Sequence, residues 1–306
     1  MAAFTAKDVA ELRKQTGCGM MDCKNALNDA GGDFEAAVKI LREKGMAATA
    51  KKADRIAAEG LVDVLTIGDT TAIVEVNSET DFVAKNAIFQ EFVKDVLKSI
   101  IANKPADVEA LLASPFAAGE GTVADALTEK TYKIGEKLSI RRFVIVEGTV
   151  STYIHGLGAT GVIVSFDTDV AGKDGFAEFA KNIALQIAAM DVKYLDKESV
   201  PAEVLAEEKA ILVKQMQQDP KMANKPQQVL EKIVEGKLGK FYENNCLLEQ
   251  AYVKDDSMSV SKYVQATAKE LGGNIKVTGY VRFDKGEGLQ KREEDFAAEI
   301  EKMVKG

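Results

Sequence analysis

Few side chains in this sequence could carry covalent or metal chemistry. There is one histidine, His155, and the three cysteines are Cys18, Cys23 and Cys246. Cys18 and Cys23 could begin a zinc site, but a structural site takes four Cys or His ligands. Only Cys246 and His155, far away in sequence, could complete it. No metal and no cofactor are expected. A histidine-based triad would rest on His155 alone, and no Gly-x-Ser-x-Gly elbow accompanies it. The chemistry-bearing residues therefore point away from an enzyme.

Phosphate and calcium motifs fare no better. Gly156-Leu-Gly158-Ala-Thr-Gly161 matches the dinucleotide fingerprint, yet the strand-like run Val162-Ile-Val-Ser-Phe166 follows it where a helix is required. The pattern predicts a hairpin turn. Asp167 to Glu178 partly imitates a calcium loop, but Ala171 cannot ligate and a strand precedes it. There is no Gly-x4-Gly-Lys-Ser/Thr loop to cradle a nucleotide.

Three other groups suit contact with a partner. Thr80-Asp81-Phe82-Val83 sits at a predicted strand-to-helix junction, where Thr and Asp provide N-cap chemistry. Phe82 could staple onto its own helix, which the pattern alone favours, or stand out as an aromatic knob. Met20 and Met21 begin a helix, and helical periodicity turns only one of them inward, leaving the other for a soft docking surface. His155, beside Tyr153 at a hairpin tip, is either a surface contact or an incidental loop residue.

The elements that would position these residues follow from periodicity. A chain of 306 residues exceeds one ordinary domain, and its net charge of −8 disfavours a phosphate-backbone binder, so direct nucleic-acid contact is not expected. No run is apolar for long enough to span a membrane. An N-terminus without the regions of a secretion signal, together with an odd cysteine count, predicts reduced thiols and a cytoplasmic setting. Residues 1–45 read as three short helices. Thr5 and Asp8 have capping-box spacing, Gly31-Gly32 stops the second helix, and Phe34, Ala37, Val38 and Leu41 stripe the third. Residues 46–58, Ala/Lys-rich and without a strong apolar stripe, read as a linker, for which a helical form stays open.

The body is duplicated. An offset of 88 residues aligns Glu59-Gly60-Leu61-Val62 with Glu147-Gly148-Thr149-Val150, and Thr80-Asp81 with Thr168-Asp169. After one deletion it aligns Phe89 with Phe176 and Phe92 with Phe179. Each copy reads as strand, Gly-containing turn, strand and helix, which predicts an α+β class with twin antiparallel sheets. The copies cover 59–146, and 147–198 with 236–284; a helical hairpin is inserted at 199–235, and a C-terminal helical module occupies 285–306. Asp219-Pro220 and Pro226 bound the hairpin turn, and Phe296, Ile300 and Met303 stripe the closing helix.

Two stretches are specific enough to carry a family resemblance. They are Leu12-Arg-Lys-Gln-Thr-Gly-Cys-Gly-Met-Met-Asp-Cys-Lys-Asn-Ala-Leu27 and Glu75-Val-Asn-Ser-Glu-Thr-Asp-Phe-Val-Ala-Lys85. Val234-Glu-Gly-Lys-Leu238 and Asp295-Phe-Ala-Ala-Glu299 support them. From end to end the chain resembles the bacterial translation elongation factor Ts family. The resemblance implies a guanine nucleotide exchange factor for elongation factor Tu, in its GDP-bound and nucleotide-free forms. It also implies a ubiquitin-associated-like three-helix head, a core of two related subdomains, a coiled-coil hairpin used in homodimer contacts, and a C-terminal helix. Carried over by position, Thr80, Asp81, Phe82 and Val83 insert beside the magnesium site of Tu, Met20 and Met21 dock on the same domain, and His155 touches Tu elsewhere. The knob reading of Phe82 then replaces the staple. The rival expectation is an adaptor that binds a partner without stimulating exchange.

Overall fold

A computed structural model describes residues 4–16, 18–218 and 227–290. Its architecture is mixed α+β, with two three-stranded sheets and a two-stranded one. In chain order the elements are α1 (Ala6–Thr16), α2 (Met20–Asp29), α3 (Phe34–Ala50), β1 (Glu59–Ile67), β2 (Thr70–Ser78), α4 (Asp81–Ala84), α5 (Ala87–Asn103), α6 (Val108–Ala113), α7 (Val123–Ile134) and β3 (Ser139–Glu147). They continue with β4 (Val150–His155), β5 (Thr160–Thr168), α8 (Phe176–Ala189), α9 (Ala202–Gln218), α10 (Gln227–Asn245), a 3-10 turn (Leu247–Glu249), β6 (Ala251–Tyr252), β7 (Asp255–Ser259), α11 (Val260–Leu271) and β8 (Ile275–Asp284). The chain divides into two compact units, one of Met1–Ile145, Gly156–Thr160 and Phe283 onward, the other of Val146–His155 and Gly161–Arg282.

In the first unit, the three N-terminal helices close over Val9, Leu12, Cys18, Cys23, Ala26, Leu27, Ala37 and Leu41. Thr5 and Asp8 cap α1 reciprocally: the Thr5 N–H donates to Asp8 Oδ2 at 2.6 Å and the Asp8 N–H to Thr5 Oγ1 at 3.4 Å. Helix α3 does not stop at Gly45 but runs through it to Ala50. A single glycine inside a helix costs only about 1 kcal/mol relative to alanine, too little to end a segment whose next residues, Met46-Ala-Ala-Thr-Ala50, are mostly good helix formers. The rest of the expected linker is tied down, because Lys137 Nζ donates to the carbonyls of Ala53 and Arg55.

The first sheet runs β1-β2-β3. β1 and β2 are antiparallel, with Glu59 opposite Ser78 and Ile67 opposite Thr70. Helix α5 lies on the sheet because Phe89, Phe92, Val93, Val96, Leu97 and Ile100 recur on its buried face. Asn86 caps its start, its Oδ1 accepting from the Ile88 N–H at 2.8 Å. Helix α7 begins in a Thr122–Asp125 capping box and ends at Gly135, whose φ of +87° favours glycine.

The second unit repeats the plan, with sheet order β4-β5-β8. Its core gathers Val162, Val164, Phe166, Phe176, Phe179, Ile183 and Ile187 around α8. β8 completes this sheet. The Gly156–Ala159 segment, counted with the first unit, is a turn, the Ala159 N–H donating to the Gly156 carbonyl at 3.3 Å, and β5 rather than a helix follows. The two hairpin helices are α9 and α10, and α10 continues past 235 to Asn245. The expected roles of Asp219-Pro220, Pro226 and the stripe Phe296, Ile300 and Met303 fall outside the described residues.

Candidate functional site

The junction between β2 and α4 exposes a phenylalanine that nothing in the core claims. Thr80 is the N-cap of α4, with its Oγ1 accepting from the Val83 N–H at 3.4 Å. In a helix of only four residues, successive side chains fan out steeply. Val83 points into the core, while Phe82 is 79% exposed. Of the two readings of Phe82 this geometry disagrees with the staple, which the pattern alone favours: α4 is too short to offer Phe82 an apolar face of its own. Its near neighbour is Lys85, whose Nζ stands 5.9 Å from the ring centroid.

Asp81 does not cap the helix, since Thr80 does so. Instead Lys85 Nζ donates to Asp81 Oδ2 at 2.6 Å. That hydrogen bond holds the Asp81 carboxyl below its ordinary range. The pair is largely exposed, so solvent screens it and it adds little to stability.

The backbone under Phe82 is held from a distant part of the chain. The Thr80 N–H donates to Glu136 Oε2 at 3.0 Å and the Thr80 hydroxyl to Glu136 Oε1 at 2.6 Å. In return the Lys137 N–H donates to Glu79 Oε1 at 2.6 Å, and Arg55 pairs with the same carboxylate at 3.2 Å. Ser78 Oγ donates to the Thr80 carbonyl at 2.9 Å. The left-handed turn at Gly135 brings Glu136 and Lys137 around to this exchange.

Behind it, β2 carries a carboxylate that is completely buried. Glu75 accepts from Arg141 Nη1, Arg142 Nε, Asn77 Nδ2 and the Gly286 N–H, the last at 2.8 Å. Burial pushes its carboxyl upward, but these donors together outweigh burial and hold it below the ordinary value. Gly286 reaches it with φ +69°, and a side chain there would strike the Ala58 carbonyl.

The repeat partner of this junction is built differently. Thr168 donates its hydroxyl to the Asn274 carbonyl at 2.7 Å, and Asp169 Oδ1 accepts from the Asn274 N–H at 2.7 Å. Val170, which corresponds to Phe82, is 1% exposed. Helix α8 starts only at Phe176, behind Gly175. The alignment of Thr168-Asp169 with Thr80-Asp81 therefore does not carry N-cap chemistry with it: the second Thr-Asp pair stitches its junction to the segment before β8.

The other sites lie elsewhere in the chain. Met20 and Met21 open α2 at 46% and 62% exposure, which corrects the expectation that one of them turns inward: both stand outside the head core, where Cys23, Ala26 and Leu27 take the inward face. His155, exposed, ends β4 with its Nδ1 3.1 Å from the Tyr153 hydroxyl. Glu79 and Glu136 escaped the sequence reading, because contacts across 58 and 56 residues leave no local spacing. The only signal near Glu136 is the helix stop at Gly135.

Among the described residues no group of three or more His, Cys, Asp or Glu side chains is arranged to hold a metal ion. No described helix is long and apolar enough to cross a membrane. Against known proteins, residues 79–287 match the family described as Elongation factor TS. The chain is 48% identical to the elongation factor Ts of Syntrophotalea carbinolica over 99% of each. It is 47% identical to that of Clostridioides difficile over the whole of both chains, and 44% identical to that of Clostridium kluyveri over 99% of each. These similarities define a translation elongation factor. The chain belongs to the elongation factor Ts family.

Proposed function

We propose that the chain is a guanine nucleotide exchange factor that binds elongation factor Tu in the cytoplasm and speeds release of GDP. The observation that carries this reading is the exposed ring of Phe82 on a backbone fastened at Thr80. A bulky aromatic left in water is an unfavourable arrangement unless a partner covers it. Thr80 and Val83 anchor the motif, and Asp81 and Phe82 face the partner. Met20, Met21 and His155 are further contacts in the same reading, and Met20 and Met21 add the soft surface that methionines give.

The mechanism is one of linkage, with no bond made or broken by this chain. A factor that binds nucleotide-free Tu more tightly than loaded Tu must weaken nucleotide binding by the same ratio. Phe82 acts as a wedge among the elements of Tu that support its magnesium ion. With that ion displaced, the diphosphate charge is less compensated and GDP leaves faster. The chain needs no cofactor for this. A second copy of the chain is also a partner of the hairpin, where Ile211, Val213 and Val229 stand exposed.

Stopped-flow release of a fluorescent GDP analogue from Tu tests the reading. Faster release at rising factor concentration, lost in Phe82→Ala, is the expected result. Binding to Tu without faster release would make the chain an adaptor.

A further inference from the structure

Phe82 is largely exposed, with the flexible Lys85 side chain near its ring, so its direction is set chiefly by the backbone beneath it. That backbone is joined to the rest of the unit by side chains rather than by a sheet ladder, since β2 ends at Ser78. The largest share of the joining falls to one half-buried residue, Glu136, which takes both donors of Thr80. A hydroxyl has one proton. Once Glu136 Oε1 accepts it, the lone pairs of Thr80 Oγ1 are turned toward the Val83 N–H, which is the bond that starts α4. The opposite exchange, from the Lys137 N–H to Glu79, locks the loop that carries Glu136 to the strand end that carries Thr80. In the second repeat copy Thr168 gives its proton to the Asn274 carbonyl and accepts from the Val170 N–H at 3.1 Å, two residues on rather than three, and no helix begins there.

We propose that Glu136 is a positioning residue for the Phe82 knob, acting through Thr80 and never touching the partner itself. The proposal rests on the reading that Phe82 drives nucleotide release. Held by two charge-assisted hydrogen bonds, Thr80 presents Phe82 in one orientation before any encounter, so the partner need not order it. Without Glu136 the helix start loosens, the ring samples many directions, and only a fraction of bound complexes are productive.

The test compares wild-type protein, Glu136→Gln, Glu136→Ala, Thr80→Val and Phe82→Ala, each full length, in release of a fluorescent GDP analogue from Tu. Glu136→Gln is isosteric but can accept only one of the two Thr80 bonds. The expected result is a fall of about ten-fold in the rate at saturating factor for Glu136→Ala. The fall should be smaller for Glu136→Gln, and half-saturating concentrations should change less than two-fold, as the remaining contacts persist. The double variant with Thr80→Val should lose no more than Glu136→Ala alone. Hydrogen exchange at the Val83 amide should quicken in Glu136→Gln at unchanged Tm, a readout that general destabilisation would not single out. A saturating rate within two-fold of wild type in Glu136→Ala, with Phe82→Ala inactive, overturns the positioning role alone. Full activity in Phe82→Ala overturns the reading beneath it. Unchanged Val83 exchange in Glu136→Gln also overturns the proposal, whatever the folding of the alanine variant.

Discussion

Arg142 donates through Nε to the wholly buried carboxylate of Glu75 at 2.7 Å, and its guanidinium carbon lies 4.2 Å from the centroid of Phe283. The same arginine reaches the Asp284 carbonyl and Glu287 at 3.1 and 3.0 Å. One side chain thereby connects the middle of β2 with the chain leaving β8. A buried carboxylate stripped of a partner is expensive, about 3–5 kcal/mol. Arg142→Ala should lower unfolding free energy by that order, read by urea denaturation of the full chain. A loss no greater than that of an exposed lysine variant would mean that Arg141 and Asn77 suffice.

The same cluster gives a pH dependence with a definite sign. The Glu75 carboxyl sits below its ordinary value of 4.5 in the folded chain. Its contribution to stability is therefore complete above that value, and is lost as pH falls through the lower folded one. Tm measured from pH 6 to about pH 3 should drop less steeply in Glu75→Gln than in wild type, from a lower starting point. Parallel curves would assign acid sensitivity to other carboxylates.

Function and stability should separate at Phe82. With the ring 79% exposed, Phe82→Ala should alter unfolding free energy by no more than about 0.5 kcal/mol. Phe92, fully buried against the first sheet, should cost about 3–5 kcal/mol when cut to alanine. Comparable destabilisation by both changes would show that Phe82 packs inward in solution.

The thiols should be silent in the native chain. Cys18, Cys23 and Cys246 are all buried, and burial pushes the Cys246 thiol up to about 11. An aromatic disulfide reagent at pH 8 should find almost no reactive thiol until denaturant is added, then three per chain. Rapid labelling without denaturant would reveal local opening of the head or of the α10 end.

If the hairpin joins two copies, Ile211 and Val213 should matter to association and not to folding. Replacing both by glutamate should shift sedimentation equilibrium toward the monomer mass while the far-ultraviolet dichroism stays unchanged. A wild-type chain that is monomeric at tens of micromolar would remove the second copy from the scheme.

Much of this fold was legible as pattern. The offset joining Phe89 to Phe176 and Phe92 to Phe179 anticipates the two helix-on-sheet cores, because core positions must keep their period. The extension of α3 through Gly45 was less legible, since one glycine is a weak stop when good helix formers follow it. At the site, Thr80 as a cap was readable from residue type, whereas the exposure of Phe82 needed the four-residue length of α4. Glu75 was least legible: an acid in a central strand looks like a surface residue until Arg141, Arg142 and Gly286 are seen to meet it. Contacts spanning 66, 67 and 211 residues have no signature in a single sequence.

The stitching of Thr168 and Asp169 to Asn274 has a consequence for docking. Two copies of the junction with the same exposed aromatic would offer a partner two competing places to seat. Burying Val170 at the position of Phe82 removes one of them. Of the two junctions, one alone presents an aromatic, so the duplicated chain offers a single handle to whatever grips it.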